Sequence, residues 1–302
     1  MAFVLEYCAR IVDGWITDLE PTNLDELCDV VASKLALKVE QVRSDEELEA
    51  LCDRYVREDE IAFIQVARDF DDATFGLTVR LSKPRHGFTH VAVIDCRGKK
   101  AHKRYFSIWH EIAHLLVQPQ LELAFRRCRN EKEVDPTEKL MDIIAGKFAF
   151  HDKFYGKGLS EISLASLHQH REEHAPASSL QAAFGSAVAK MEEPVLFVVA
   201  AEASKVADRG RKDVEMDLRA VSVVQSKGAR AKKLLIPKNM RVPTDSVIYS
   251  AFQGSFGDFD FPLRNDEDLS MWKSQGRSLA PLGISVECAF SADRVLVVIR
   301  PK

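Results

Sequence analysis

Residues 104–117 read Arg104-Tyr105-Phe106-Ser107-Ile108-Trp109-His110-Glu111-Ile112-Ala113-His114-Leu115-Leu116-Val117. The apolar residues recur at helical spacing and Pro119 follows closely, so a helix is expected over 100–117, stopping before that proline. His110 and His114, at i and i+4, leave one face about 6 Å apart at Cβ, a separation that suits two imidazoles on one zinc ion. Glu111 lies one residue along and is placed to take a proton from a water activated by that metal, the general-base role in metal-assisted hydrolysis. Ile112, Leu115 and Leu116 supply an apolar side that pins the helix to a core. With nine histidines in 302 residues, roughly 0.02 chance matches to His-Glu-x-x-His are expected, which weighs against an ordinary amphipathic helix carrying two surface histidines.

A zinc hydrolase needs a third protein ligand and an open fourth position. Glu138 answers the first need in Glu138-Lys139-Leu140-Met141-Asp142, with 23 residues intervening after His114. These residues fall on a second expected helix that starts after Asp135-Pro136, with Pro136 at its first position, and runs past Phe148. There Glu138 can bind the metal, while Asp142, one turn on, can accept the free ring N–H of a zinc-bound histidine and fix its tautomer. A degenerate site that serves only as a scaffold is the remaining alternative.

Outward from this pair, residues 3–18, 23–36, 45–58 and 61–70 carry apolar residues at helical spacing, with Leu37 on the face of the second and Asn23 or Thr22 at its start. Residues 75–81 and 89–96 are β-rich runs separated by a longer loop over 82–87, a hairpin. Residues 159–192 read as helical. Beyond Pro194 strands are expected at 195–201, 216–224, 233–236, 246–252, 284–290 and 295–299. A net charge of −4 argues against coating nucleic acid by bulk charge. No window approaches the ~18 uninterrupted apolar residues of a membrane span. Glu6 and Arg10 interrupt the first apolar stretch, unlike a secretory signal. The six cysteines lack paired metal spacing, and reduced thiols in the cytoplasm are expected.

Helices, a hairpin, the helical His-Glu-Ile-Ala-His-Leu-Leu and the following Glu138–Phe150 stretch together resemble the ImmA/IrrE group of intracellular zinc metallopeptidases. Glu138, Asp142, Ala145 and Phe148 stand at the positions of that group's Glu-x-x-x-[Asp/Asn]-x-x-Ala-x-x-[Phe/Leu] helix. The resemblance covers roughly residues 20–155. It departs where Phe150-His151-Asp152 replaces the group's usual Leu-Met-Pro. It implies an α+β fold: a helical zincin-like peptidase domain with a β-hairpin over 1–155, a helical, helix-turn-helix-like connecting segment over 156–192, and a GAF-like α+β sensor domain over 193–302. It further implies Zn²⁺ as cofactor and, as substrate, a helix-turn-helix transcriptional repressor cut after stress such as DNA damage or phage infection. The long form is similar to the peptidases of repressor–peptidase pairs that control CBASS anti-phage operons, some of which respond to single-stranded DNA. Single-stranded DNA or a small molecule is therefore the expected activator, and no membrane partner is expected. Two other readings stay open: a non-catalytic regulator that binds DNA or a repressor directly, and a partner-binding module of the same fold.

Several lesser signals remain. Cys96 ends the run Val91-Ala92-Val93-Ile94-Asp95-Cys96; its thiolate could occupy zinc's open position as an inhibitory switch, or it could be a small apolar filler. Arg97, Lys99, Lys100, Lys103 and Arg104 place five cations within eight residues, a solvated face or a nucleic-acid contact. Lys227, Arg230, Lys232 and Lys233, near Arg209, Arg211 and Lys212, form a second basic set, and Cys128 lies in a basic run of its own. The hairpin edge could take an extended substrate by strand addition, or be capped. Tyr105, His90, His151 and Tyr155 are candidate oxyanion donors by location only, while His168, His170 and His174 read as exposed polar residues.

Overall fold

A computed structural model describes residues 2–71, 73–121, 136–155, 159, 162–205, 208, 214–232, 234–274 and 276–302 as a mixed α+β chain. The chain folds as two units: Met1–Tyr155 with His174–Ser179, and Gly156–Glu173 with Leu180–Lys302.

In the first unit the amphipathic stretches become α1 (Ala2–Leu19) and α2 (Leu24–Lys34). Asn23 is the residue that caps α2, its side chain accepting the Glu26 N–H at 2.9 Å. The second helix ends earlier than its apolar spacing suggests. Ala36 turns into the left-handed region (φ 49°), and Leu37 opens a strand, β1 (Leu37–Val42), that the expected helical face had absorbed. Next come α3 (Asp45–Arg57), α4 (Phe63–Asp69), β2 (Gly76–Arg85) and β3 (Phe88–Asp95). The hairpin turn is tighter than the expected loop. His86 and Gly87 both have positive φ (49° and 86°), and Arg85 stands opposite Phe88. Two consecutive left-handed residues twist the chain in the sense that paired strands need.

The strands order β1-β3-β2, with β1 parallel and β2 antiparallel to β3. Alternation sends Val79, Leu81, Val91 and Val93 to one face, where they pack with Leu48, Leu51, Tyr55 and Phe63 of α3 and α4. The Tyr55 and Phe63 rings stack there at 4.1 Å. On β2 and β3 lies α5 (Arg104–Leu121), entered through a 3₁₀ turn over Gly98–Lys103. It runs through Pro119 rather than stopping before it. A missing N–H within the last turn removes one hydrogen bond, which the end of a helix tolerates. Trp109, Ile112, Ala113, Leu116 and Val117 are buried, and α6 (Pro136–Ala149) packs on α5 through Met141, Ile144, Ala145 and Phe148.

In the second unit α7 (Leu164–His174) and α8 (Leu180–Lys190) precede β4 (Leu196–Ala203), β5 (Asp217–Gln225), α9 (Lys227–Ala231), α10 (Val247–Gly254), β6 (Leu263–Asp268), the two-residue strands β7 (Lys273–Ser274) and β8 (Arg277–Ser278), β9 (Gly283–Ser291) and β10 (Arg294–Pro301). Five strands form an antiparallel sheet, β5-β4-β10-β9-β6. Its β4 is buried on both faces. Leu196, Val198 and Ala200 join Ile248 and Ala251 of α10 in one core, while Phe197 meets Phe184 of α8 edge-on at 5.7 Å.

The sequence reads residues 156–192 as a helical connecting segment. Apart from residues 174–179, its described part belongs to the second unit, and buried Glu287 of β9 accepts the Leu164 N–H that opens α7 at 2.7 Å. Two expected strands are corrected. Residues 246–252 are helical despite their β-branched and aromatic content. Ser246 caps α10 by accepting the Ile248 N–H, and the Glu267 carboxylate accepts the Val247 N–H at 2.7 Å. Residues 234–236 are irregular, with the Leu234 carbonyl accepting from the Gln225 side chain.

Candidate metal centre

The second and third turns of α5 and the first turn of α6 bring three donors together. His110 Nε2 lies 3.0 Å from Glu138 Oε2 and 3.2 Å from His114 Nε2, and His114 Nε2 lies 3.7 Å from Glu138 Oε1. A tetrahedral zinc ion with bonds of about 2.0–2.1 Å needs donor–donor edges of about 3.3 Å, so these separations fit one ion. Among the described residues this is the group of three histidine, cysteine or carboxylate side chains whose donor atoms lie within 4.8 Å of one another. Both imidazoles present Nε2. On the far side of its ring, His110 Nδ1 meets Asp142 Oδ1 at 3.0 Å, which leaves the Nε2 lone pair for a metal.

The charges fit the same picture. Burial opposes a proton on His110, but the hydrogen bond to Glu138 and the charges of Glu111, Glu138 and Asp142 outweigh it and raise its pKa. Hydrogen bonds from His110 and His114 hold Glu138 well below the usual carboxylate range, although half of its side chain is exposed. Both shifts reflect a concentration of negative charge that favours a cation at this face.

Glu111, one residue along from His110, is buried against the sheet. Thr78 Oγ1, on β2, donates to Glu111 Oε2 at 2.7 Å. Gly76, two residues earlier, lies so close that a Cβ there would stand 2.8 Å from Glu111 Oε1 and 3.1 Å from its Cγ. The strand thus both grips the carboxylate and makes room for it. Nothing in the sequence singles out either residue beyond their place on the hairpin's first strand.

No protein-family model matches this chain. No curated protein matches it either.

The remaining expected residues are distributed as follows. Cys96 follows β3, its N–H donating to the Val42 carbonyl at 2.8 Å. Its thiol is buried, burial pushes its pKa up against the pull of Arg104 and Arg43, and its sulfur is not among the three converging donors.

The basic run is not a free patch. Arg97 and Lys100 both pair with the buried Asp95 at 2.8 and 2.7 Å, and Arg97 also reaches Asp45. Lys103 lies over the Phe75 ring at 3.8 Å. Lys99 is exposed and Arg104 half-buried; a nucleic-acid contact, the alternative to a solvated face for this run, would compete with the fold's own partners for Arg97 and Lys100.

The Tyr105 hydroxyl donates to the Ala149 carbonyl at 2.6 Å, and His151 pairs with Asp13 at 3.0 Å. His90 stands on β3, its pKa lowered by burial and by Arg80. Tyr155 is buried, as is His170, contrary to its exposed reading, while His168 stacks on Phe259 at 4.6 Å. Of the second basic set, Lys227 pairs with Glu192, and Arg230 and Lys232 are exposed. Lys233, Arg209, Arg211, Lys212 and Cys128 lie outside the described residues.

Proposed function

We propose that the chain is a zinc-dependent endopeptidase in which His110, His114 and Glu138 hold the metal and Glu111 is the general base. The observation that carries this reading is the convergence of two imidazoles and a carboxylate at zinc-ligand separations, with a second, buried carboxylate one residue from the first imidazole. Zinc in such a site supplies Lewis acidity, polarising a carbonyl and lowering the pKa of water.

The chain's own residues do the rest. Asp142 holds the Nδ1 proton of His110, fixing the tautomer that offers Nε2. Glu111, aimed by Thr78, accepts a proton from the attacking water and returns it to the departing amine nitrogen. Among the described residues β2 has no strand beyond it, and this edge beside Glu111 offers backbone groups to an extended chain, which favours a peptide over a compact substrate.

The substrate we propose is a helix-turn-helix repressor whose cleavage derepresses a stress or anti-phage operon in the cytoplasm, with a signal such as single-stranded DNA as activator. The resemblance of the paired helices to the ImmA/IrrE motifs supports this part. The second unit would then serve as the GAF-like sensor, and its five-stranded antiparallel sheet with helices on both faces is compatible with that role.

The test uses the full chain with zinc and a helix-turn-helix protein encoded beside it. Cleavage is expected, chelator should stop it, and Glu111→Gln should keep one zinc per chain while losing at least ~100-fold in rate. Undiminished cleavage by Glu111→Gln would remove Glu111 as the base. Metal-independent derepression by that variant would instead mark a non-catalytic regulator.

A further inference from the structure

The edge of the first sheet carries more information than an open strand. The Asp95 N–H donates to the Phe75 carbonyl at 2.9 Å, and the register continues without a shift from Gly76 opposite Ile94 to Arg80 opposite His90. In an antiparallel ladder, hydrogen-bonded and non-hydrogen-bonded pairs alternate. Phe75 is therefore in phase with Leu77 and Val79, whose backbone groups face β3. The N–H and C=O groups of Gly76, Thr78 and Arg80 face the other way. Among the described residues β2 has no strand on that side. The open stretch has a definite end, because the buried Glu60 carboxylate accepts both the N–H and the hydroxyl of Ser82 at 2.9 Å.

Side chains of the same three residues share one face, marked by the Thr78–Glu111 hydrogen bond. Two positions beyond Thr78 on that face stands Arg80. It is exposed, and among the described residues it makes no hydrogen bond or ion pair. Further along the strand, Glu60 and Glu58 both pair with Arg85. A strand added to this edge would set one of its residues opposite Thr78, beside Glu111, and its second neighbour opposite Arg80, with Cβ atoms about 5.5 Å apart.

We propose that Arg80 is a specificity residue: it selects an aspartate or glutamate two positions from the residue held opposite Thr78 in an extended peptide. The inference takes its purpose from the peptidase reading but makes its own claim about binding. The alternative role for an edge arginine is to repel unwanted strand pairing, and that role predicts no preference among peptides.

The test uses the full chain, zinc-loaded and carrying Glu111→Gln so that bound peptide stays intact. The probes are three fluorescein-labelled peptides of the form Thr-Thr-Val-Thr-X-Thr-Val-Thr-Thr with X as Glu, Gln or Lys, titrated by anisotropy. The Glu peptide should bind about three- to five-fold more tightly than the Gln peptide, the scale of one solvent-exposed ion pair, and the Lys peptide should bind most weakly. Adding Arg80→Glu should invert the order, Arg80→Ala should level it, and 0.5 M salt should shrink it, each with an unchanged melting temperature. Equal affinities, no binding of any peptide, or an order that survives Arg80→Glu would overturn the inference. Incubating the chain with Glu111 intact with the same peptides keeps the two claims separable. Ranked binding without fragments leaves Arg80 standing and leaves the peptidase reading to the repressor assay, whereas cleavage without a charge preference overturns the Arg80 inference and supports the peptidase reading.

Discussion

Glu111 is held by two residues of β2. Thr78 supplies a hydrogen bond to a buried carboxylate, an interaction of about 1.5–3 kcal/mol, and Gly76 supplies space that a methyl group would fill. Thr78→Val is expected to lower kcat about 10- to 100-fold with little change in KM, and Thr78→Ser to restore most of it. Gly76→Ala should also lower kcat, because Glu111 must shift away from a Cβ that would stand 2.8 Å from its oxygen. Zinc stoichiometry, measured by atomic absorption, should stay at one per chain in all three. Loss of zinc from Thr78→Val would show that the residue supports the fold of the site rather than the aim of the base.

At the scale of elements, the junction between β3 and α5 is organised around Asp95. Its side chain is fully buried and receives Arg97 and Lys100, and Lys100 also donates to the carbonyls of Asp71 and Thr74 at 2.5 and 2.9 Å. One ammonium thus ties the turn before α5 to the chain that enters β2. Burial alone would raise the pKa of Asp95, but the hydrogen bonds from Arg97 and Lys100 outweigh it and bring it down from 3.8 to about 2. A carboxylate with a depressed folded-state pKa stabilises the fold above its unfolded value, and that contribution drains away as pH falls through the folded value. About 2 kcal/mol should therefore be present above pH 3.8 and lost towards pH 2. Asp95→Asn should cost about 3 kcal/mol near neutrality, because Arg97 and Lys100 lose the buried charge they share. It should also flatten the fall in stability between pH 5 and 2.5, read from urea midpoints. An unchanged acid profile would shift that stability to other carboxylates.

On the scale of the whole molecule, each unit has its own buried core, one around Val79, Val91 and Tyr55 and the other around β4, β10 and Trp272. The three candidate ligands all lie in the first unit. Calorimetry is expected to resolve two unfolding transitions. Zinc should raise the one belonging to the first unit by about 2.7 kcal/mol at 100 times its Kd and leave the other in place. Phe184→Ala should lower only the second transition, with zinc binding intact. A single transition that zinc moves as a whole would contradict this independence.

Much of the candidate site is legible in the order of the residues, because its logic is local. The i,i+4 histidines and the Glu-x-x-x-Asp pair follow the period of a helix, and that period is written along the chain. Several helices and strands are legible for the same reason. Other features depend on partners distant in sequence. Leu37 continues a helical face by spacing, yet Ala36 reverses the chain and β3 supplies the ladder that makes it a strand. Residues 247–254 carry a strand's composition, yet a cap at Ser246 and a carboxylate from Glu267 make them helical. The cluster of cations after β3 reads as solvated because the acids that neutralise it include Asp45, about fifty residues away, and Asp95, whose burial no local pattern reveals. By itself the sequence determined which side chains could ligate a metal and at what helical spacing. Only tertiary structure decided that α5 and α6 meet, that Thr78 holds Glu111 and that Arg80 has no partner among the described residues, because packing sets those contacts across gaps that no local periodicity spans.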